Sequence, residues 1–222
     1  PGAPGPERLI PFVAAIIVWG LVEMAFLMGY VTGPRTTPCP EPCNGAPRFW
    51  FASLAIAYHE AALVLLLALL LWLTWGQPNQ AGAWTFGVLW IMRLSTKLNI
   101  FLGVANLPSS LLPPRIAYLE SYFRKAPMNW LFPLSITATT VLCVALGWNA
   151  VTAASRFDAN VFAMLTTLAI LALIEHWLLM VPLPAEKMWG WSMNRPCDVE
   201  QRATVNEAVQ TSLGRQAAST AM

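Results

Sequence analysis

The feature that most constrains this chain is a set of long, uninterrupted apolar runs separated by short segments rich in proline and glycine. A helix needs about 20 mostly apolar residues to cross roughly 30 Å of hydrocarbon at 1.5 Å per residue. Five stretches reach that length: Leu9 to Val31, Phe49 to Trp75, Ala83 to Val104, Asn129 to Trp148 and Asn160 to Leu183. Between them lie Gly33, Pro34, Pro38, Pro40 and Pro42, then Gly76 and Pro78, then Pro108, Pro113 and Pro114; Pro182 and Pro184 close the last run. The sequence therefore predicts an all-α integral membrane protein. A bundle of about five transmembrane helices is expected over residues 1–191, with a tail over 192–222 expected to be mobile. With 57% hydrophobic residues and 11% charged, the chain lies far from the roughly 25% charged content of soluble domains, which excludes a water-soluble enzyme. Continuous runs, as opposed to alternating segments of about 10 residues, exclude an outer-membrane barrel.

Orientation follows from the Lys and Arg residues outside the spans, because cytoplasmic loops carry the excess. Nine fall on one side (Arg35, Arg48, Arg115, Arg124, Lys125, Lys187, Arg195, Arg202 and Arg215) and two on the other (Arg8 and Arg156). The first and third loops and the C-terminus are thus expected in the cytoplasm, with the chain spanning a bacterial inner (intracytoplasmic) membrane several times. Phe49, Trp50, Phe51, Trp72, Trp75, Trp84, Trp130, Trp148, Trp189 and Trp191 sit near span ends, as interfacial anchors do. A net charge of +2 gives no reason to expect nucleic acid as a partner. No cleavable secretory signal is present, and the opening residue is Pro1, so the natural N-terminus is expected to be processed or to lie upstream.

Between Pro113 and Ala126, Ile116, Leu119, Tyr122 and Phe123 recur at helical spacing, with Pro114 suited to a first turn and Pro127 to a stop. A cytoplasmic interfacial helix resting on membrane lipid is expected here. The alternative is a connecting helix packed on the ends of the bundle. Arg115, Tyr122, Arg124 and Lys125 form the candidate partner surface.

Seven titratable residues fall inside the spans: Glu23, His59, Glu60, Arg93, Lys97, Glu175 and His176. Each charge in a membrane helix costs at least about 2.5 to 3.5 kcal/mol on insertion scales, so such groups pair, face a cavity or serve a site. Their positions along the spans place them in one layer contributed by four helices. One reading is a buried charge network of Glu23, Glu60, Arg93, Lys97 and Glu175, with Arg93 and Lys97 one turn apart on a helix face. A second is a metal site built from Glu23, His59, Glu60, Glu175 and His176, although adjacent Glu and His point about 100° apart where carboxylate-bridged sites use a three-residue spacing. A third is axial ligation of a pigment or haem centre, bacteriochlorophyll above all, by His59 or His176. Cys39 and Cys43 are expected to be reduced thiols in a structural cytoplasmic loop, too few to complete a zinc site. Gly29 and Gly33 make a GxxxG suited to close helix approach. No motif for nucleophilic catalysis or for phosphate or dinucleotide binding is present.

Five segments carry a resemblance: WGLVEMAFLMGYVTGPR (Trp19–Arg35), YHEAAL (Tyr58–Leu63), MRLSTKLNIFLGVANL (Met92–Leu107), PPRIAYLESYFRKAPMNWLFPLS (Pro113–Ser135) and LIEHWLLMVPLP (Leu173–Pro184). Together they resemble the photosynthetic-complex assembly proteins of purple and related phototrophic bacteria called PuhE, encoded near the reaction-centre H subunit. The resemblance covers Trp19 to Trp191 and is most specific from Arg93 to Ser135. It implies a non-enzymatic membrane assembly factor or accessory subunit of the reaction-centre and light-harvesting complex, with reaction-centre or core-antenna subunits as partners and contact with bacteriochlorophyll. The alternative it leaves is a metal-dependent membrane enzyme of bacteriochlorophyll or related pigment metabolism. Family members carry further hydrophobic sequence ahead of the first span, so additional helices are expected before Pro1. They also tend to have His where this chain has Val22, which removes one candidate metal ligand.

Overall fold

A computed structural model describes residues 9–107 and 112–181. The expected tail and the anchors Trp189 and Trp191 lie outside the described residues. The described residues form five α-helices: α1 (Ile10–Leu27), α2 (Gly45–Leu73), α3 (Ala81–Leu102), α4 (Leu131–Thr152) and α5 (Arg156–Leu178). A 3₁₀ helix, Pro114–Tyr122, lies between α3 and α4. Among the described residues there is no strand, only an isolated bridge between Val104 and Lys125.

Local chemistry sets the helix limits. Pro11 occupies the first turn of α1, where its missing N–H is not needed, and Gly29 follows the helix at φ +74°. The side chain of Asn129 accepts from the backbone N–H of Leu131 (2.9 Å) and Phe132 (3.0 Å), starting α4, while its amide donates to Gly103 O (2.7 Å) beyond the end of α3. Ser155 caps α5 by accepting from Asp158 N at 3.0 Å and holds the Asp158 carboxylate through its hydroxyl at 2.6 Å.

Among the described residues four helices, α1, α2, α4 and α5, are long and apolar enough to cross a membrane. The third of the five expected spans, α3, is long enough but falls short in apolarity. Helix α3 has 22 residues, about 33 Å of rise, but Arg93, Ser95, Thr96, Lys97 and Asn99 lower its apolarity. Tertiary position explains that composition: α3 packs against each of the other four helices, so its polar side chains meet protein groups in place of lipid. Small residues allow the approach. Ala81, Gly82 and Ala83 are buried, and a Cβ at Gly82 would lie 2.9 Å from Pro11 O of α1. Trp50, Trp72, Trp75, Trp84, Trp130 and Trp148 are all exposed near helix ends, as an aromatic belt requires.

The segment expected as an interfacial helix on lipid is instead a connector packed on the bundle. Its apolar residues Ile116, Leu119 and Tyr122 are buried in one cluster with Phe26 of α1 and Ala55 of α2. The apolar stripe was legible, but periodicity cannot say whether lipid or protein covers it. Tyr122 is for the same reason no partner surface: its hydroxyl donates to Thr37 O (2.8 Å) and accepts from Arg35 Nε (2.8 Å). Arg115, Arg124 and Lys125 are exposed.

Two further expectations for the first loop change. Gly29 and Gly33 do not form a helix-packing stripe, because α1 ends at Leu27. Gly33 lies directly on the α2 backbone, where an added Cβ would collide with Leu54 O and come within 2.7 Å of the Ala55 carbonyl carbon. Beside it, the His59 backbone N–H donates to Thr32 O at 2.9 Å. Non-helical backbone at this depth is admissible because protein encloses it. Cys39 and Cys43 are joined as a disulfide, with Cα atoms 5.7 Å apart, where reduced thiols were expected. Four-residue spacing in a proline-rich loop left the separation of the two sulfurs undetermined; the fold sets it by pinning Cys39 N to Ser121 Oγ at 2.9 Å.

Candidate functional site

The bundle encloses an ionic layer that four helices build. Glu23 comes from α1, His59 and Glu60 from α2, Arg93 and Lys97 from α3, and Glu175 and His176 from α5. On α3 the two cations stand four residues apart on one face. Arg93 bridges two helices, reaching Glu175 Oε1 through Nη1 at 2.9 Å and Glu23 Oε2 through Nε at 3.4 Å. Lys97 Nζ lies 2.8 Å from Glu60 Oε1 and 3.7 Å from Glu23 Oε1. The other Glu60 oxygen accepts from Trp90 Nε1 at 3.1 Å. The structure thus brings Glu23, Glu60, Arg93, Lys97 and Glu175 into one network.

Within it, burial is uneven. The Glu23 side chain is 7% exposed and the Glu175 side chain 42%. Glu23 is also the shared group, facing Arg93, Lys97 and His59, so the network has its centre at α1 and α3. An uncompensated charge at Glu23 would have no water to turn to.

The two histidines are held differently. His176 Nδ1 lies 2.8 Å from Ala172 O, which can only accept, so this nitrogen carries a proton, and Nε2 lies 2.9 Å from Ser95 Oγ. His59 Nε2 is 2.8 Å from Lys97 Nζ and 3.3 Å from Glu23 Oε1, with the Phe26 ring centroid 4.4 Å from its own. Both rings are fully buried. Both Nε2 atoms and His176 Nδ1 are engaged by protein groups, whereas His59 Nδ1 is buried with no hydrogen-bond partner among the described residues. Axial ligation by His176 therefore does not fit this geometry.

The five residues considered as metal ligands do not converge either. Among the described residues no three or more His, Cys, Asp and Glu side chains gather as a metal would need. The reason is the adjacency noted in the sequence: Glu175 turns to Arg93 while His176 turns to Ser95, on different sides of α3.

A second polar chain was not anticipated. Ser95 Oγ lies 3.1 Å from Ser135 Oγ, and the Asn99 amide donates to Ser135 Oγ (2.9 Å) and to Ser95 O (3.0 Å), so α3, α4 and α5 are joined through Ser95, Ser135 and His176. Its signal was present in the four-residue spacing of Ser95 and Asn99, which repeats that of Arg93 and Lys97 on another face of α3. Arg48, counted only as a loop charge, stacks over the Phe101 ring at 4.1 Å and donates to Phe101 O and Tyr122 O at 2.6 Å each. These bonds tie α2, the end of α3 and the 3₁₀ helix together.

Fold and layer define a class: a helical, multi-pass membrane protein with a layer of paired charges between its helices. The chain belongs to the family described as "Protein of unknown function (DUF3623)", whose model matches residues 6–200. It is 41% identical over 203 residues to an "Uncharacterized 30.4 kDa protein in puhA 5'region" of Rhodobacter capsulatus, a match covering 90% of this chain and 72% of that relative. No solved structure matches it.

Proposed function

We propose that the protein is a PuhE-type assembly factor or accessory subunit of the bacterial photosynthetic reaction-centre and light-harvesting complex. The observation that carries this reading is the relative from Rhodobacter capsulatus, 41% identical and named for its place in the puhA 5′ region; the resemblance set out above links that position to the reaction-centre H subunit. The geometry favours a non-catalytic part. Its strongest acids and bases face one another across helices, which suits a rigid scaffold.

In this proposal α3 crosses the bilayer as a fifth span, its length being sufficient and its charges shielded by the other helices. The protein sits in the intracytoplasmic membrane with the Arg35 and Arg115 end, and the C-terminus, in the cytoplasm, in keeping with the nine-to-two Lys and Arg excess. Arg115, Arg124 and Lys125 then offer an exposed basic edge to the assembling complex. The Cys39–Cys43 pair provides an independent check, since disulfides persist in oxidising compartments. The disulfide favours an oxidising compartment and the Lys and Arg excess the cytoplasm; alkylation of intact cells before and after reduction decides between them, since a disulfide that survives in cells would reverse the orientation.

Affinity purification of the tagged full chain from photosynthetic membranes in mild detergent is the decisive test. Reaction-centre or core-antenna polypeptides should co-purify, and deletion of the gene should lower the yield of assembled complexes. No co-purification together with normal complex yield would end the proposal.

A further inference from the structure

Ser95, Asn99 and Ser135 draw α3 and α4 together near one end of the bundle. Towards the other end a groove of about 630 Å³ lies between α3, α4 and α5, within the range of small-molecule sites, about 300 to 1,000 Å³. Val88 and Met92 of α3, Leu142 and Leu146 of α4 and Leu165 of α5 supply apolar wall. Trp84 and Ile91 also line it and are exposed, so the groove opens on the outer surface of the bundle, and none of the ionic-layer residues lines it.

The groove has a direction. Gln77, Gln80 and Asp158 line it from the segment before α3 and the first turn of α5. This is the end where the exposed Trp75, Trp84 and Trp148 mark the aromatic belt. From Gln80 to Met92 the chain rises about 18 Å, close to the depth of one leaflet, half of a hydrocarbon core of roughly 30 Å. Polar groups thus stand at headgroup level and apolar walls run inward from them, as one acyl chain hanging from its head requires.

Charge decides which head it is. Among the described residues Asp158 is the one charged side chain lining the groove, and it is exposed. The Ser155 hydroxyl holds its Oδ2 at 2.6 Å, which leaves Oδ1 to accept from a ligand. Arg156, two residues earlier, leaves α5 about 160° away round the helix and does not line the groove. An anionic head would be repelled by the carboxylate, and a quaternary ammonium has no N–H to donate. A primary ammonium brings both charge and donors, and the Gln77 and Gln80 amides can donate to the phosphate behind it.

We propose that this groove binds one bilayer phospholipid with a primary-ammonium head, phosphatidylethanolamine, its acyl chain along Val88, Leu142 and Leu146 and its ammonium at Asp158. The site is independent of the assembly role proposed above and lies at the opposite end of the bundle from the basic edge.

The test uses the purified full chain, stripped of lipid in mild detergent and titrated with dioleoyl phosphatidylethanolamine, phosphatidylcholine or phosphatidylglycerol, with bound lipid read by native mass spectrometry. One phosphatidylethanolamine should be retained, about three- to fivefold more tightly than either of the others, as one exposed ion pair can supply. Asp158→Asn should reduce that preference to within about twofold while the acyl chain still binds, and Asp158→Glu should keep it. Leu146→Trp, which fills the groove, should lose all three lipids with Asp158 intact. Val88→Phe fills it from α3 and takes the place of Leu146→Trp if that variant lowers the lipid-free unfolding midpoint. Equal binding of the three lipids by wild type overturns the proposal, as does a preference that survives Asp158→Asn or binding that survives both groove-filling variants. A polypeptide that co-purifies with wild type and is lost from Leu146→Trp, with lipid binding unchanged, would make the groove a helix-docking site and overturn it too.

Discussion

Helix α3 carries Arg93 and Lys97 and buries Thr85, Thr96 and Asn99, whereas α4 and α5, packed on each other, leave Val141, Val144, Val151, Ile170, Leu171 and Ile174 exposed. The hydroxyls of α4 and α5 close mostly on their own helix, as Thr137, Thr140 and Thr167 do by donating to the carbonyl four residues back. In α3 the polar groups reach outward instead, to α1, α2, α4 and α5. The contrast inverts the rule for soluble bundles: here the helix too polar to pass as a span is central, and an apolar hairpin is peripheral. Lipid is as apolar as any core, so apolar burial gives these helices little reason to associate, and interhelical polar bonds and close packing hold them together.

If that contrast is right, substitutions in α3 and its partners should matter far more than substitutions on the hairpin. The largest effect is expected from Arg93→Leu, which strands Glu23 in a buried site. Losing one member of a buried pair costs about 3 to 5 kcal/mol, read as a lowered unfolding midpoint in detergent. Adding Glu23→Gln should recover more of that loss than adding Glu175→Gln, because the Glu175 side chain is 42% exposed and that of Glu23 only 7%. Equal rescue by the two would remove Glu23 from the centre of the network.

Next comes the backbone junction between the first loop and α2. Gly33→Ala pushes a methyl group into Leu54 O and Ala55, neither of which can rotate away, so destabilisation of about 1 to 3 kcal/mol is expected. Hydrogen exchange at the His59 amide should rise in this variant. Unchanged stability and exchange would show that the loop does not rest on α2.

A smaller loss belongs to the second polar chain. Ser135→Ala deletes the acceptor of the Asn99 amide and the neighbour of Ser95, and interhelical bonds of this kind average about 0.6 kcal/mol in membrane proteins. A thermal shift of a few degrees or less in Ser135→Ala, increased when His176→Leu is added, would support one connected chain. Strict additivity of the two would divide it. The smallest effect is expected on the hairpin: Val144→Ala, on the exposed face of α4, should stay within about 0.5 kcal/mol. A loss comparable to that of Arg93→Leu would mean that this face is covered by another protein in the purified particle.

Much of the layer was legible before any coordinates, because a charged residue in an apolar run is rare enough to be informative alone. Rise per residue placed Glu23, Glu60, Arg93, Lys97 and Glu175 at similar heights. Height says nothing about azimuth. That His176 turns to Ser95, and His59 to Lys97 and Glu23, is set by helix rotation alone. Ser95, Asn99 and Ser135 passed unnoticed because serine and asparagine cost little enough in a helix to go unremarked, and their worth lies in the partner across the interface. The 3₁₀ helix shows the same limit: its apolar stripe was visible, but not the surface of α1 and α2 that receives it.

By itself the sequence determined that the chain is helical and apolar enough to cross a membrane several times, and that its few internal charges had to be compensated. These follow from local quantities, the length of apolar runs and the solvation cost of ions, which need no knowledge of neighbours. Only the tertiary structure decided that α3 takes the central place, that Glu23 faces Arg93, Lys97 and His59 together and that Gly33 lies on the α2 backbone. Each depends on how the helices are rotated and arranged about one another. One apolar surface can be satisfied by lipid or by another helix, so hydropathy does not encode that choice, and directional polar bonds and close packing make it.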